Sequence, residues 1–426
     1  MTGSMNAKLL LLAAPFSAAA AIVSRRNALR SYGAVSLAPQ AVQAAPRPDW
    51  ESYAVRGDSA TMIPSVAAIK ADGLVDALST KRAVFLGEHH DAAADHALQA
   101  EVISRLRRKV GARPMAVGLE MVQRRFQPQL DLYTAGRLTE AELRKAVDWD
   151  RRWGWPFETY VPVLKAAKRA RAQLLALNAD DEDAAPVSAG GLAALAPDAR
   201  RRYVSDPRAS EAFARTVAFK SYVGYTIRPS YAAHVALGIL PATDPAACVG
   251  NDGACTTTFK NFLARRILWD EALSKACADW CRDHENGLCV AIVGADHVKY
   301  GCGAPARLAR SLPNGLGDLA TVLLNERPAD TKGDAVGGVE RGAAPFAFDS
   351  FAADRSVPRG ADGLVGFRNY VLQLRFAPDP AVDDWVGNER DRGRGPELVA
   401  EASAARQTVA GSAVLPLADF LLFSEA

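Results

Sequence analysis

The run Gly87-Glu88-His89-His90-Asp91 directly follows the apolar residues Ala83 to Leu86. Glu120 follows a second apolar run, Met115 to Leu119, and Gly294-Ala295-Asp296-His297 follows a third, Leu288 to Val293. Read as strands, these runs each deliver ionisable side chains at their carboxyl ends. Open α/β sheets bind ligands just outside those ends. Glu88, His90, Glu120 and His297 therefore form one candidate site, although they are far apart in sequence. Imidazoles so placed can bind a metal, relay a proton or ligate haem iron. The carboxylates can bind a cation, orient the imidazoles or act as a base where burial raises their pKa. Each of these residues, taken alone, also reads as a hydrogen-bonded polar group closing a strand. No His-Glu-x-x-His, phosphate-loop, dinucleotide-binding or Gly-x-Ser-x-Gly pattern accompanies them.

A second cluster, Asp148 to Tyr160, gathers Trp149, Trp153, Trp155, Phe157 and Tyr160. Such side chains can wall a flat apolar ligand such as a porphyrin, or anchor a loop to the core. In the segment His297 to Gly303, glycines permit close backbone approach. Tyr300 offers a phenolate of the type that serves elsewhere as an axial haem ligand.

The elements that must position these groups alternate. Strands are predicted at 83–86, 115–119, 174–177, 288–293 and 320–324. Helices are predicted at 95–110 with Asp95 as a cap, 126–134, 139–146 with the capping box Thr139/Glu142, 158–172 starting near Pro162, 209–240 with interruptions, 257–280 and 305–312. The acidic stretch 180–189 reads as a loop. This alternation gives an α/β fold: a central, mostly parallel sheet flanked by helices, with a smaller helical subdomain. The expected organisation is a targeting leader at 1–44, an amino-terminal extension with one short helix at 45–80, and an α/β domain at 81–330. The helical subdomain occupies about 126–172 and 209–281, and a carboxyl-terminal extension at 331–426 packs on the core. Within that extension 370–375 reads as a strand. The apolar run 416–423 should dock on the sheet or in a groove.

Composition narrows the function classes. The chain has 426 residues, 49% hydrophobic and 23% charged, with a formal charge of +3. That balance argues for neither a nucleic-acid partner nor an anionic membrane surface. No segment is a clean membrane span. The leader shows two signals in tandem, an apolar stretch after Lys8 and then Arg25-Arg26 ahead of Ala41 to Ala44. Such tandem signals resemble the bipartite leaders of thylakoid-lumen proteins in algae with complex plastids; a bacterial periplasmic precursor is the alternative. Six cysteines lie between 248 and 302. In an exported chain they favour disulfides, Cys248–Cys255 first because a Gly-rich turn separates them, and Cys289–Cys302 second.

The ordered motifs resemble one family. Phe85 to Asp91, Gly118-Leu119-Glu120-Met121, Leu130 to Gly136, Trp153 to Tyr160, Asn178, Trp269-Asp270-Glu271-Ala272-Leu273, and Gly294 to Val298 with Tyr300, Gly301 and Gly303 are similar to those of the ChaN-like haem-binding uptake family, within the Tiki superfamily. The resemblance spans roughly residues 70 to 325. It implies haem or another tetrapyrrole as ligand, with His297, Tyr300, Trp153, Trp155 and Tyr160 as haem-binding residues. It also implies a carrier or buffer role and a homodimer with haems paired between subunits. Wider relatives are metal-dependent proteases and hydrolases, so the alternative is a hydrolase. There Glu88, His90, Glu120 and His297 are catalytic, and His90, Glu120 and His297 hold a divalent metal ion. A non-catalytic interaction module is the third reading. No lipobox cysteine accompanies the leader, so no lipid anchor is expected.

Overall fold

The apolar runs of the sequence become neighbouring strands of one sheet. The structure, a computed structural model, describes residues 50–58, 64–236, 258–327, 330, 371–375 and 414–424. Its strands are β1 (Trp50–Arg56), β2 (Ser65–Ile69), β3 (Ala83–Glu88), β4 (Met115–Gln123), β5 (Gln173–Asn178), β6 (Leu288–Gly294), β7 (Leu319–Leu324), β8 (Gln373–Arg375), β9 (Val414–Pro416) and β10 (Phe420–Ser424). One eight-stranded sheet has the order β2-β1-β10-β7-β3-β6-β4-β5, and β8 pairs with β9 as a separate ribbon. From β10 to β5 every neighbour is parallel. Only β1 runs against the others, pairing antiparallel with β10 and with the edge strand β2. This is the mostly parallel, helix-flanked α/β sheet expected from the alternation.

Strand side chains alternate between faces, and both faces are apolar, as parallel strands require. Val84 and Leu86 of β3, Val117 and Leu119 of β4 and Val290 and Ile292 of β6 share one core with the helices Ala71–Ser79, Ala93–Val110 and Phe157–Arg169. Phe85, Ala116, Ala291 and Val293 point the other way, toward Ile267, Leu273 and Cys277 of the helix Phe259–Asp283 and toward Phe219 and Tyr222. Among the described residues no helix is long and apolar enough to cross a membrane.

Several expectations change. Residues 50–79 supply two sheet strands besides the predicted short helix. The apolar run near the carboxyl terminus does not lie over the sheet; β10 enters it between β7 and β1, aligning Leu421 with Leu323. The acidic stretch predicted as a loop is the helix Asp181–Gly190. Its Asp181, Glu182 and Asp183 sit in the first turn, where carboxylates suit the helix dipole, and pair with Arg265, Arg152 and Arg202. The helix predicted to begin near Pro162 begins at Phe157 and carries that proline inside. Asp95 does not cap its helix; Ala92 stands at that position. The Thr139/Glu142 capping box forms.

The cysteine pairing Cys289–Cys302 is not formed; Cys289 is a buried thiol, as are Cys277 and Cys281. Cys289 is the second residue of β6 and Cys302 lies past its end, with about 16 Å of strand from Cys289 to Gly294 at the usual rise per residue. Cys248 and Cys255 lie outside the described residues.

Leu421 is fully buried within β10. Leu421→Ala should lower stability by about 2–5 kcal/mol, as buried Leu-to-Ala changes do, measured by urea unfolding. An unchanged midpoint would mean that β10 is not integral to the sheet.

Candidate functional site

The strands β3, β6 and β4 are consecutive in the sheet, so their carboxyl ends converge. Glu88 is the last residue of β3 and aligns with Gly294 at the end of β6. By alternation Glu88 belongs to the face of Val84 and Leu86, whereas Glu120 belongs to the face of Ala116. Between these two strand ends, Gly294 leaves the end of β6 bare. A methyl group there would stand 2.8 Å from Cε1 and Nε2 of His90 and 3.6 Å from Oε2 of Glu120. The backbone N–H of Gly294 donates to that same Oε2 at 2.5 Å.

Glu88 has no side-chain exposure and must find its partners inside the protein. It accepts from Tyr160 Oη at 2.7 Å and from Gln99 Nε2 at 2.6 Å, and faces His90 Nδ1 at 2.9 Å and His96 Nδ1 at 3.3 Å. Burial pushes its pKa up, but the bonds and charges of His90 and His96 outweigh burial, and the carboxyl lies well below the usual range. Burial likewise opposes ionisation of Glu120, yet His297, His90 and the Gly294 N–H lower its pKa.

His297 lies between two carboxylates, with Nδ1 2.5 Å from Asp270 and Nε2 3.3 Å from Glu120. Burial and the charge of Arg266 push its pKa down; Glu120 and Asp270 outweigh them and raise it. Both ring nitrogens are thus committed. Arg307 braces this arrangement, donating to the carbonyls of Cys302 and Gly303 and lying 3.6 Å from Asp270. Gly303 packs directly on the His297 carbonyl, where a Cβ has no room.

His90 differs from the other three, keeping 25% of its side chain exposed. Its ring centroid is 5.0 Å from Trp153 and 5.8 Å from Trp155. Trp149 meets Phe157 and Tyr160 at 4.9 and 5.3 Å. The aromatic cluster therefore divides: Trp149, Phe157 and Tyr160 anchor, while Trp153 and Trp155 flank His90.

The structure thus brings Glu88, His90, Glu120 and His297 together, with Trp153, Trp155 and Tyr160 beside them. It does not bring Tyr300. That residue is buried and donates its hydroxyl to the carbonyl of Val371 at 3.2 Å. Its φ of 57° is in the left-handed region, and its N–H donates to Leu417 O at 2.7 Å. Tyr300 pins the His297 loop to the carboxyl-terminal segment. The metal set His90, Glu120 and His297 is also unsupported. Among the described residues no group of three or more His, Cys, Asp or Glu could hold a metal ion. The physical reason is saturation, since both His297 nitrogens and the Glu120 oxygens already have partners.

His96 and Gln99 escaped the sequence reading, and Asp270 entered it only within a motif, with no role at the site. Their signal was register. His96 and Gln99 precede Ile103 and Leu106 on the buried face of one helix, and Asp270 falls between Ile267 and Ser274 in another. A polar residue at an apolar position of a helix repeat is a buried polar group needing a partner.

A further ionic cluster ties the β3 loop to the end of β7. His89 lies 2.9 Å from Asp95 and 3.3 Å from Asp330 through its two nitrogens, and Lys299 lies 2.8 Å from Glu326. Burial alone would lower the His89 pKa, but Asp330, Asp95 and Glu326 push it up to about 10.

Residues 74–308 match the family described as haem-binding uptake, Tiki superfamily, ChaN. No curated protein matches the chain. Similar solved structures include ChaN of Campylobacter jejuni with cofacially bound haem, 17% identical, covering 65% of this chain and 91% of that one with a TM-score of 0.44. The type III effector HopBA1 is 15% identical, covers 60% of this chain and 82% of its own, and has a TM-score of 0.29. A Bacillus cereus protein is 11% identical, with 83% and 90% coverage and a TM-score of 0.30. These likenesses are too distant to bear on the site.

Gly294 has φ −60° and ψ 142°, which suit any residue, so Gly294→Ala acts by contact alone. It should cost about 1–3 kcal/mol, as overpacking does, and shift the His90 imidazole resonances. Unchanged resonances would exclude the close approach.

The raised pKa of His89 predicts a pH dependence. Its contribution to stability is complete below the ordinary value of 6.5 and is lost as pH rises through about 10. Urea unfolding between those limits should show wild-type stability falling with pH, and a smaller fall in His89→Gln. Equal slopes would refute the ionic role.

Proposed function

The chain belongs to the haem-binding uptake (ChaN) family of the Tiki superfamily, and on that premise we propose that it binds haem or a close tetrapyrrole at His90, as a carrier or buffer. The state of His90 is what supports this reading. Its Nδ1 faces the Glu88 carboxylate at 2.9 Å, and a carboxylate oxygen there accepts a hydrogen bond from the Nδ1–H. The tautomer inferred from this contact leaves the lone pair on Nε2, in the arrangement by which a second-shell carboxylate orients a ligating imidazole. Among the described residues Nε2 makes no hydrogen bond.

The donor set fits the group. Haem, when bound, supplies an iron that takes a neutral imidazole as axial ligand. His90 would hold it, and the rings of Trp153 and Trp155, already beside His90, would cover the macrocycle. Tyr160, Gln99 and His96 keep Glu88 in place behind the imidazole. His297, with both nitrogens occupied, acts as a positioning residue for Glu120 and the β6 end. We also propose an exported compartment, an algal thylakoid lumen or otherwise a bacterial periplasm, supported by the tandem leader pattern of residues 1–44. Amino-terminal sequencing of natively processed protein should find a start near Ala45.

Titration of the full chain with hemin should give a saturable Soret shift. His90→Ala should abolish it. Glu88→Gln should weaken binding roughly 10- to 100-fold, the scale for losing a carboxylate behind a ligating imidazole. Tyr300→Phe should titrate like the wild type. Absence of a saturable shift, or indifference to His90→Ala, would overturn the reading.

A further inference from the structure

One face of the helix Phe259–Asp283 carries Arg266, Trp269 and Asp270, spaced three and four residues apart and therefore adjacent. Two of the three reach His297 directly. Asp270 Oδ1 is 2.5 Å from its Nδ1, and the Trp269 ring centroid is 5.6 Å from the imidazole. The charge of Arg266 acts on His297, Asp296, Asp270 and Glu120, which places its guanidinium in the same neighbourhood.

The ionic partners there are otherwise matched. Asp270 faces His297 at 2.5 Å and Arg307 at 3.6 Å, Glu120 faces His297 at 3.3 Å, and Asp296 faces Lys299 at 3.2 Å. Among the described residues of this cluster, Arg266 is the cation left unmatched. Its Nε and Nη2 are buried without a hydrogen-bond partner among the described residues, and so is Nε1 of Trp269. Buried N–H groups without acceptors are costly and uncommon. Here three such donors occur on adjacent residues of one helix face beside the candidate site.

We infer that Arg266, with the indole N–H of Trp269, forms an anion-recognition subsite beside His297 that takes a carboxylate of the ligand, such as a tetrapyrrole propionate. This rests on the tetrapyrrole reading and deepens it, because it names the part of the ligand that the protein selects. A guanidinium presents parallel N–H groups that match a carboxylate, and the neighbouring indole adds a neutral donor. Ligand iron plays no part in this contact, so the subsite and the His90 contact are separable.

Binding of protoporphyrin IX, which has carboxylates but no iron, and of its dimethyl ester is followed by tryptophan fluorescence quenching, with hemin followed in parallel. For the wild type, esterification should weaken binding roughly 10- to 100-fold, the scale of charge-assisted hydrogen bonds. Arg266→Gln should weaken the free acid by a similar factor and leave the ester unchanged. Arg266→Lys, which keeps the charge, should recover part of the loss. Equal free-acid affinity in Arg266→Gln and the wild type, or an equal loss for acid and ester, would overturn the inference. Wild-type protein that binds acid and ester alike would overturn it while leaving the tetrapyrrole reading intact. Wild-type protein that binds no porphyrin at all would overturn both.

Discussion

Two carboxylates must stay ionised at the end of a sheet, on opposite faces of it and out of reach of water. That constraint organises the rest of the site. Glu88 and Glu120 are 2% and 1% exposed, and an unpaired charge at such depth is prohibitively costly. Tyr160, Gln99, His96 and His90 converge on the first, from three separate segments. His297 and the Gly294 N–H converge on the second. Each of these partners is then fixed by what it satisfies. The imidazoles acquire defined orientations, and only His90 is left with an exposed edge.

The bare end of β6 makes this possible. β6 lies between β3, which carries Glu88, and β4, which carries Glu120. At Gly294 nothing stands between them, and the His90 ring fills the space a side chain would take. The two halves of the site are therefore coupled through a missing methyl group. The loop that continues from Gly294 is held from behind by Arg307, Gly303 and the helix residue Asp270.

The carboxyl-terminal segment contributes from a distance. Its β10 fills the slot between β7 and β1, and the N–H of Tyr300 binds the carbonyl of Leu417 just before that strand. Asp419 accepts from both the N–H and hydroxyl of Thr321 on β7. The last described strand thus steadies the loop carrying His297, which couples the end of the chain to the site. Tyr300, which has the chemistry of a ligand, is used instead as a hinge pin of that loop.

The sequence by itself determined the sheet strands around the site and the residues at their ends. Short apolar runs followed by Glu88, Glu120 and Gly294 to His297 are local signals, and strand periodicity needs no distant partner to be read. The aromatic run from Trp149 to Tyr160 was equally legible, although its division between anchors and walls was not. Tertiary structure alone decided which groups remain open. His90 and His297 look alike in sequence, but Asp270, 27 positions from His297, takes one nitrogen of the latter while the former keeps an exposed edge. The order of the strands also lay beyond reach, because β6 enters between β3 and β4 from more than a hundred residues away. Pairing across such distances is set by packing and hydrogen-bond completion over the whole sheet, for which no local pattern stands in.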